Sequence, residues 1–337
     1  MSDDTENKTT RERISIANQV YASYPLFQQI LEDIDRCHDS PNIKGEDDPD
    51  CLLLTGTTGA GKTTIYKTYA QNYPIRETEE GSVVPIIYAT IPAAATVKGL
   101  VKALLKAIGD PLHSKGTTID QTDRLYGLLN DCQVELIFLD EFHHFIDSDS
   151  NKVLKNVCNW LKTLILETRI PIVLFGKKES ENILTVENDN LHLSRRFNYR
   201  HSLVPFPQLD PESIPESFRD FLSEVESKLP LAMKSNLAEK SLAERIYYAT
   251  DGTIGHVMTL IRKGATLAIE QDIERLDLNT LGVIYDKHLR HDKSFKKTDP
   301  FSANKFDLYA AYAQDPKFDE TTSKRKKSKK DNLNDIL

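Results

Sequence analysis

Cysteine and long apolar runs are both scarce in this sequence, and each shortage excludes a class of protein. The 337 residues include four cysteines, and no two of them have C-x-x-C spacing. This excludes a disulfide-stapled domain and argues against a zinc site. No apolar run approaches the ~20 residues that span a bilayer, and the polar start MSDDTENKTTRER lacks the core of a signal peptide. We therefore expect a cytoplasmic protein, with the cysteines as small apolar side chains at Cys37, Cys51, Cys132 and Cys158.

Positive charge is also in short supply overall, but it is unevenly placed. The chain has 43 Lys and Arg against 51 Asp and Glu, for a net charge of −8. Acidic residues prevail in the first 50 positions, whereas six of the seven residues from Lys324 to Lys330 are basic. Such a chain permits an anionic partner without requiring one. The basic run is either a DNA anchor, a contact for a protein partner or a solubilising end.

Short apolar segments that alternate with amphipathic ones predict an α/β fold in the first two-thirds of the chain. Strands of four to eight nearly all-apolar residues, separated by helices, are typical of a parallel sheet covered on both faces. We expect five such strands, at Cys51–Thr55, Val83–Ala89, Val134–Leu139, Ile170–Phe175 and Arg200–Pro205.

The strands stop after Pro205, and the next segments predict a small helical bundle. Its helices are expected at 211–227, 238–250, 254–271 and 277–290. The expected organisation is therefore an N-terminal helical segment and linker, an α/β core, a helical subdomain and a charged, largely disordered tail. Their bounds are 1–50, 51–206, 207–290 and 291–337.

The segment from Gly56 to Thr63 reads GTTGAGKT and matches the phosphate-binding pattern G-x-x-x-x-G-K-[ST]. It follows a predicted strand and opens a predicted helix, so its backbone N–H groups and the helix N-terminus would face a phosphate. Lys62 would reach the β- and γ-phosphates, and the Thr63 hydroxyl would bind Mg²⁺. A glycine turn without a ligand is the alternative. The expected ligands are ATP and Mg²⁺, with ATP held by Gly56, Thr57, Thr58, Gly59, Ala60, Gly61, Lys62, Thr63 and Thr64.

Two acidic residues end the third predicted strand. Four apolar residues, LIFL, deliver Asp140 to the carboxyl edge of the sheet, where it would hold Mg²⁺ through water. Glu141 would orient and deprotonate the attacking water. A purely structural pair of acids is the alternative. His143 and His144 follow, but adjacent residues on one element rarely converge on one metal ion. A role for His143 in transmitting nucleotide state to a neighbour is left open.

Two further segments complete the predicted nucleotide site. Arg195 and Arg196, in LSRRF, lie where an arginine can stabilise the γ-phosphate held by a neighbouring subunit. Surface arginines or local salt bridges are the alternative for either one. Gly255 lies in DGTIGHV, which opens a helix of the bundle and would close over the nucleotide.

With these residues in place, the chain resembles AAA+ ATPases and, within them, the TniB/TnsC family of DNA transposition regulators. The resemblance covers about residues 10–300 and is carried by GTTGAGKT, LIFLDEFHH, IPIVLFG, LSRRF and TDGTIGHVMTLIRKGA. It implies a three-layer αβα P-loop domain with a helical lid. It also implies ATP-dependent, head-to-tail assembly into a ring or helical filament on double-stranded DNA, with ATP hydrolysis releasing the assembly.

The same resemblance implies partners. Such proteins connect target-site selection to a DDE transposase, some through a TniQ-type adaptor and some in CRISPR-guided systems. Two departures from the family pattern imply slow or assembly-dependent hydrolysis. Lys177 and Lys178 stand where many relatives have a small polar residue that senses the γ-phosphate, and Gly255-His256 stands where many have a sensing arginine.

Lysines at regular spacing give the expected DNA contacts. Lys98, Lys102 and Lys106 recur at i, i+4 and i+8, so they form one stripe along a helix. Lys115 and Thr117 lie in a nearby loop. Phosphate contacts from these five residues would give salt-dependent, sequence-tolerant DNA affinity. The alternatives are a solvated helix face and a helix cap by Thr117 or Thr118.

Two other functions share parts of this pattern. A replication initiator or loader has nearly all of the nucleotide site, but it would need a DNA-reading domain, which the mostly polar residues after Arg290 do not predict. A P-loop kinase for small molecules usually lacks the Asp–Glu pair and the helical lid.

Overall fold

The computed structural model describes residues 9–44, 48–79, 81–93, 96–146, 151–184, 191–207, 213–290, 297, 299–302 and 305–313. The chain forms two compact units. The sheet unit is Pro25–Val204, and the helical unit combines Met1–Tyr24 with Pro205–Leu337. No described helix has the length and apolar character needed to cross a membrane.

The described strands and helices are numbered along the whole chain. The strands are β1 Leu52–Gly56, β2 Arg76–Thr78, β3 Gly81–Val83, β4 Ile86–Thr90, β5 Leu136–Asp140, β6 Ile172–Gly176 and β7 Tyr199–Leu203. The helices of the sheet unit are α2 Pro25–Lys44, α3 Lys62–Ala70, α4 Val97–Ile108, α5 Thr118–Asp131, α6 Asn151–Thr168 and α7 Leu191–Ser194, with 3₁₀ turns at Phe142–Phe145 and Lys178–Leu184. The helices of the helical unit are α1 Thr10–Gln19, α8 Glu216–Ser227, α9 Lys240–Thr250, α10 Ile254–Glu270, α11 Leu278–His288 and α12 Leu308–Ala313.

Five parallel strands form the main sheet, in the order β4-β5-β6-β1-β7. Every residue of β1, β5 and β6 is buried, because helices cover both faces of a parallel sheet and leave no solvated side. Strand β6 lies between β1 and β5, so one strand separates the glycine loop from the strand that ends at Asp140. The predicted five-stranded parallel α/β fold is confirmed.

The strand expected at Val83–Ala89 is wrong in its bounds. Strand β3 ends at Val83 and pairs antiparallel with β2, and β4 begins only at Ile86. Pro85 separates them because it has no N–H to donate. Its carbonyl instead accepts from the backbone N–H groups of Glu135 at 2.8 Å and Leu136 at 3.1 Å, which fixes β4 against β5.

Helix α4 shows how one face of a helix is packed while the other stays in solvent. Its buried residues are Leu100, Val101, Leu104 and Leu105. They belong to the core cluster that includes residues of β1, β5, β6 and α6. Gly109, with φ of +98°, ends the helix. The opposite face carries exposed lysines, described below.

The helical unit draws on both ends of the chain. Ala17 of α1 packs on Ala265 and Ile269 of α10. The Arg262 side chain holds the end of α1 in place, with Nε donating to the carbonyl of Val20 at 2.8 Å. The segment expected as one N-terminal piece, 1–50, is thus divided: α1 belongs to the helical unit and α2 to the sheet unit.

The tail expected from residue 291 is wrong in its described part. Phe301, Leu308 and Tyr312 are buried, and Leu308 and Tyr312 pack on Tyr248 of α9. Lys297 is buried as well, and its Nζ donates to the carbonyl of Tyr248 at 2.7 Å. These apolar side chains are scattered among charged residues, so no periodic pattern in the sequence predicted their burial. The basic run Lys324–Lys330 lies outside the described residues.

Candidate nucleotide site

The glycine loop connects β1 to α3 in a conformation that glycine makes possible. Gly59 has φ of +80° and Gly61 has φ of +106°, values that side chains with a Cβ rarely adopt. Gly61 is also the N-cap of α3 and provides no capping side chain. The first N–H groups of α3 are therefore left for an external acceptor, which makes this helix end suited to an anion.

Lys62 lies across this loop. Its Nζ donates to the carbonyl of Gly56 at 2.7 Å and to that of Thr57 at 3.1 Å. Partial burial lowers the pKa of Lys62, while the nearby carboxylates of Asp140 and Glu141 oppose that shift. Lys177 adds to the lowering, so the residue after β6 is also close to this ammonium group. The structure thus brings together the loop lysine, Asp140 at the end of β5, Glu141 directly after it and the unusual Lys177.

Asp140 is buried at the carboxyl end of β5 and both of its oxygens accept hydrogen bonds. Oδ1 accepts from the backbone N–H of Glu141 at 2.7 Å. Oδ2 accepts from the hydroxyl of Tyr88 in the neighbouring strand β4. The Tyr88 hydroxyl therefore helps to fix the direction of this carboxylate. Sequence reasoning missed Tyr88; the one polar tip in the apolar segment VVPIIYA was the available signal.

Glu141 has an uncommon backbone conformation, with φ of +60°. A non-glycine residue in this region is uncommon, and such residues are enriched at functional sites. The Nδ1 atom of buried His143 lies 3.2 Å from Oε2 of Glu141. His144 points elsewhere, since its Nδ1 lies 2.9 Å from the carbonyl oxygen of Ile91. The ligand atoms of these three residues lie within 4.8 Å of one another.

The donor set fits ATP with Mg²⁺. Magnesium prefers oxygen ligands and usually takes one or two carboxylates together with phosphates. Thr63 offers an exposed hydroxyl, and Asp140 offers a carboxylate that accepts from the Tyr88 hydroxyl. The loop around Gly59 and Lys62 offers the N–H groups and the positive charge that phosphates need. Thr57 and Thr58 are exposed on this loop, whereas Ala60 is buried beneath it.

The two arginines of LSRRF have different environments. Arg196 is buried, its Nη2 lies 2.5 Å from Oδ2 of Asp48, and its carbonyl accepts from the N–H of Cys51 at 2.7 Å. These contacts fix the segment against the start of β1. Arg195 is exposed. The geometry therefore favours Arg195 over Arg196 as the arginine that could reach a neighbouring subunit.

Comparison with known proteins assigns the chain to a family. The family model described as bacterial TniB protein matches residues 13–204, which include the glycine loop, Asp140-Glu141 and the arginine pair. The chain belongs to the TniB family. No curated protein matches the sequence.

Several solved structures are similar to this TniB-family chain. One is the Aeropyrum pernix ORC1 protein in complex with DNA, with 15% identity, TM-score 0.50, and coverage of 79% of this chain and 66% of that one. Cdc6p from Pyrobaculum aerophilum has 14% identity, TM-score 0.54, and coverage of 80% and 69%. The Aeropyrum pernix ORC2 protein in ADPNP–ADP complexes has 13% identity, TM-score 0.54, and coverage of 80% and 69%. At these identities the likeness establishes the AAA+ fold, and the chain spans about two-thirds of the first protein's length, 66%.

The lysine stripe of this TniB-family chain faces solvent. Lys98, Lys102 and Lys106 are all exposed along α4, and the Nζ of Lys98 also donates to the carbonyl of Gly116 at 3.3 Å. That contact brings the stripe next to the loop that precedes α5. Lys115 in this loop is exposed too, so four ammonium groups belong to one part of the surface.

Thr117 is a helix cap, which was the alternative to its predicted contact with DNA. Its hydroxyl donates to Oδ2 of Asp120 at 2.8 Å and accepts from the N–H of Asp120, which caps α5. The loop is further braced by Arg124, whose Nε donates to Oδ2 of Asp110 at 2.8 Å. Thr117 therefore shapes the loop that carries Lys115, and its hydroxyl is engaged within the chain.

Gly255 belongs to the helical unit, in the first turn of α10. Its carbonyl accepts from the hydroxyl of Thr259 at 2.7 Å. Asp251 ends α9 with φ of +50°, and Gly252 follows with φ of +65°, so the two helices are joined by a tight turn. The assignment of Gly255 to the nucleotide stays a prediction.

Proposed function

We propose that this TniB-family protein is an ATP-dependent regulator of DNA transposition that oligomerises on double-stranded DNA and recruits or activates a DDE transposase, with ATP hydrolysis ending the assembly. The observation that carries the proposal is the glycine loop with Lys62 beside Asp140 and Glu141, in a chain of this family. A TniQ-type adaptor and a CRISPR-guided system are further partners that the family membership supports.

The residues have separable tasks in the proposed hydrolysis. The loop N–H groups and Lys62 bind the phosphates, and Thr63 and Asp140 hold Mg²⁺, which when bound shields phosphate charge. Glu141 accepts a proton from the attacking water. His143 Nδ1 lies 3.2 Å from that carboxylate, so His143 is placed to transmit the state of the nucleotide to a neighbouring subunit. Arg195 would supply positive charge to the γ-phosphate of an adjacent subunit.

Binding to DNA would come from phosphate contacts. Lys98, Lys102, Lys106 and Lys115 are exposed in one region, and each phosphate neutralised adds about 0.9 to the slope of log affinity against log salt. Repetition along an oligomer multiplies this term. Affinity would therefore be high, tolerant of sequence and steeply salt-dependent. One of the archaeal proteins of similar fold was solved in complex with DNA, which is compatible with this use of the fold.

Nucleotide-dependent DNA binding is the decisive experiment. The full chain is mixed with a double-stranded fragment in ATP, ADP or no nucleotide, and is followed by fluorescence anisotropy and negative-stain electron microscopy. We expect oligomers on DNA in ATP and their loss in ADP. Equal DNA binding in all three conditions without oligomers would refute the proposal.

A pull-down with the transposase and adaptor encoded beside the gene separates the transposition role from that of a replication initiator. Retention of a DDE transposase only on ATP-loaded DNA complexes supports the transposition role. Specific binding to one origin-like sequence, without retention of a transposase, would favour the initiator.

A further inference from the structure

The hydroxyl group of Tyr88 contacts one of the two side chains proposed to hold Mg²⁺. It donates to Oδ2 of Asp140. The proposed hydrolysis assigns no task to this phenol. A residue that holds a metal ligand by a hydrogen bond can control how that ligand is presented.

The position of Tyr88 follows from strand register and ring packing. Strand β4 pairs with β5 so that Tyr88 is opposite Phe138 and Thr90 is opposite Asp140. The Tyr66 ring of α3 stacks on the Tyr88 ring, with centroids 4.3 Å apart at 28°. Tyr66 in turn meets Phe138 edge-on at 5.2 Å. This packing restricts the Tyr88 ring, so its hydroxyl stays near the edge of the sheet.

The hydrogen-bond inventory fixes the direction of the contacts. An ionised carboxylate only accepts, and a phenol has one proton to give and two lone pairs to offer. Tyr88 therefore gives its proton to Oδ2 of Asp140. Because Oδ1 accepts from the backbone N–H of Glu141 at 2.7 Å, both carboxylate oxygens are held in a fixed direction. Their remaining lone pairs are available to a cation.

We propose that Tyr88 is a positioning residue of the metal site, which fixes the direction of the Asp140 carboxylate through its hydrogen bond and so sets how strongly Mg²⁺ tightens nucleotide binding. The inference rests on the proposed binding of ATP. Outer contacts of metal ligands commonly change metal affinity by about 10- to 100-fold. Loss of the hydroxyl should therefore weaken the effect of Mg²⁺ and leave the contacts of Lys62 and the loop N–H groups intact.

The test compares Tyr88→Phe with Tyr66→Phe. Both changes remove one phenol oxygen from the same ring stack, but the hydroxyl of Tyr88 is the one that contacts Asp140. Affinity for a fluorescent ATP analogue is titrated with excess Mg²⁺ and with EDTA, at a DNA-free, low protein concentration. We expect Tyr88→Phe to reduce the ratio of the two affinities at least about tenfold relative to wild type, with the EDTA value unchanged. Tyr66→Phe should keep the wild-type ratio.

Thermal unfolding of both variants shows that each is folded at the temperature of the titration. An unchanged or increased ratio in Tyr88→Phe would overturn the inference, and so would an equal loss with and without Mg²⁺. If wild type binds the nucleotide in these same titrations, either of those results counts against the role of Tyr88 and leaves the proposed function intact. Absence of any nucleotide binding by wild type would refute the proposed function itself.

Discussion

The guanidinium group of Arg196 is buried against Asp48, with Nη2 2.5 Å from Oδ2, while the adjacent Arg195 is exposed. Removing one partner of a buried pair leaves a cavity and an uncompensated charge. We expect Arg196→Ala to reduce the free energy of unfolding by about 1–3 kcal/mol, below the fully buried range because the Asp48 side chain is 39% exposed. Urea unfolding measures this loss. Arg195→Ala is the matched control, and its free energy of unfolding should fall by about 0.5 kcal/mol or less.

The double variant Asp48→Ala/Arg196→Ala tests whether the contact itself is responsible. If the pair carries the effect, the two single losses will not add. Equal destabilisation by Arg195→Ala and Arg196→Ala would contradict the distinction between the two arginines.

Arg195→Ala should change catalysis without changing stability. Because an arginine acting on a neighbour's γ-phosphate works only in the assembled state, we expect ATP turnover on DNA to fall at least about 10³-fold. ATP affinity measured at low protein concentration should stay at the wild-type value. Turnover is followed by phosphate release, with and without DNA. Wild-type turnover in the variant would show that the arginine acting between subunits lies elsewhere.

Local patterns were sufficient to predict the sheet and the glycine loop. The residues of β1, β5 and β6 are buried on both faces, so their apolar runs are unbroken in the sequence. The loop could be found because phosphate binding demands glycines and a lysine at fixed spacing, GTTGAGKT.

The contacts that refine the site could not be found in this way. Tyr88 contacts Asp140, which lies 52 positions later in the sequence. Arg196 contacts Asp48, which lies near the other end of the sheet unit in the sequence. Such contacts depend on strand register and packing, which leave no periodic trace in one sequence. Charge and spacing alone therefore left Arg195 and Arg196 equivalent, and the pairing with Asp48 separates them.

Glu141→Gln should separate ATP binding from hydrolysis. The amide cannot accept the proton of water, and general-base contributions are about 10²–10⁴-fold in rate. Gln has nearly the same side-chain shape as Glu and can adopt the same backbone φ of +60°, so the fold should be unchanged. We expect ATP-bound oligomers to persist on DNA, seen as slow dissociation in anisotropy chases with unlabelled DNA. Lys62→Ala is the contrasting control. It should not bind ATP, and ATP should not increase its binding to DNA. Rapid ATP turnover by Glu141→Gln would contradict its role.

The lysine stripe should determine the salt dependence of DNA binding. Replacing Lys98, Lys102 and Lys106 with Ala removes three exposed positive charges from α4. If each contacts a phosphate, the slope of log affinity against log salt should fall by about 2.7 per subunit. The control replaces three exposed lysines on other helices or loops, Lys67, Lys152 and Lys234, and has the same net charge. Identical slopes for the two triple variants would exclude the stripe as the DNA-binding surface.

The segment after residue 290 should stabilise the helical unit. Phe301, Leu308 and Tyr312 are buried, and the Nη1 of Arg245 donates to the carbonyl of Pro300. Burial of each large apolar side chain contributes about 1.5–3 kcal/mol. Ending the chain after Arg290 should therefore lower the free energy of unfolding by several kcal/mol, since it also exposes Tyr248 and leaves Arg245 without that carbonyl. Ending it after Ala313 keeps the packed segment and removes the basic run, so stability should be retained. Urea unfolding of the two truncated chains decides the matter: if both match the full chain, the packed segment contributes nothing to folding.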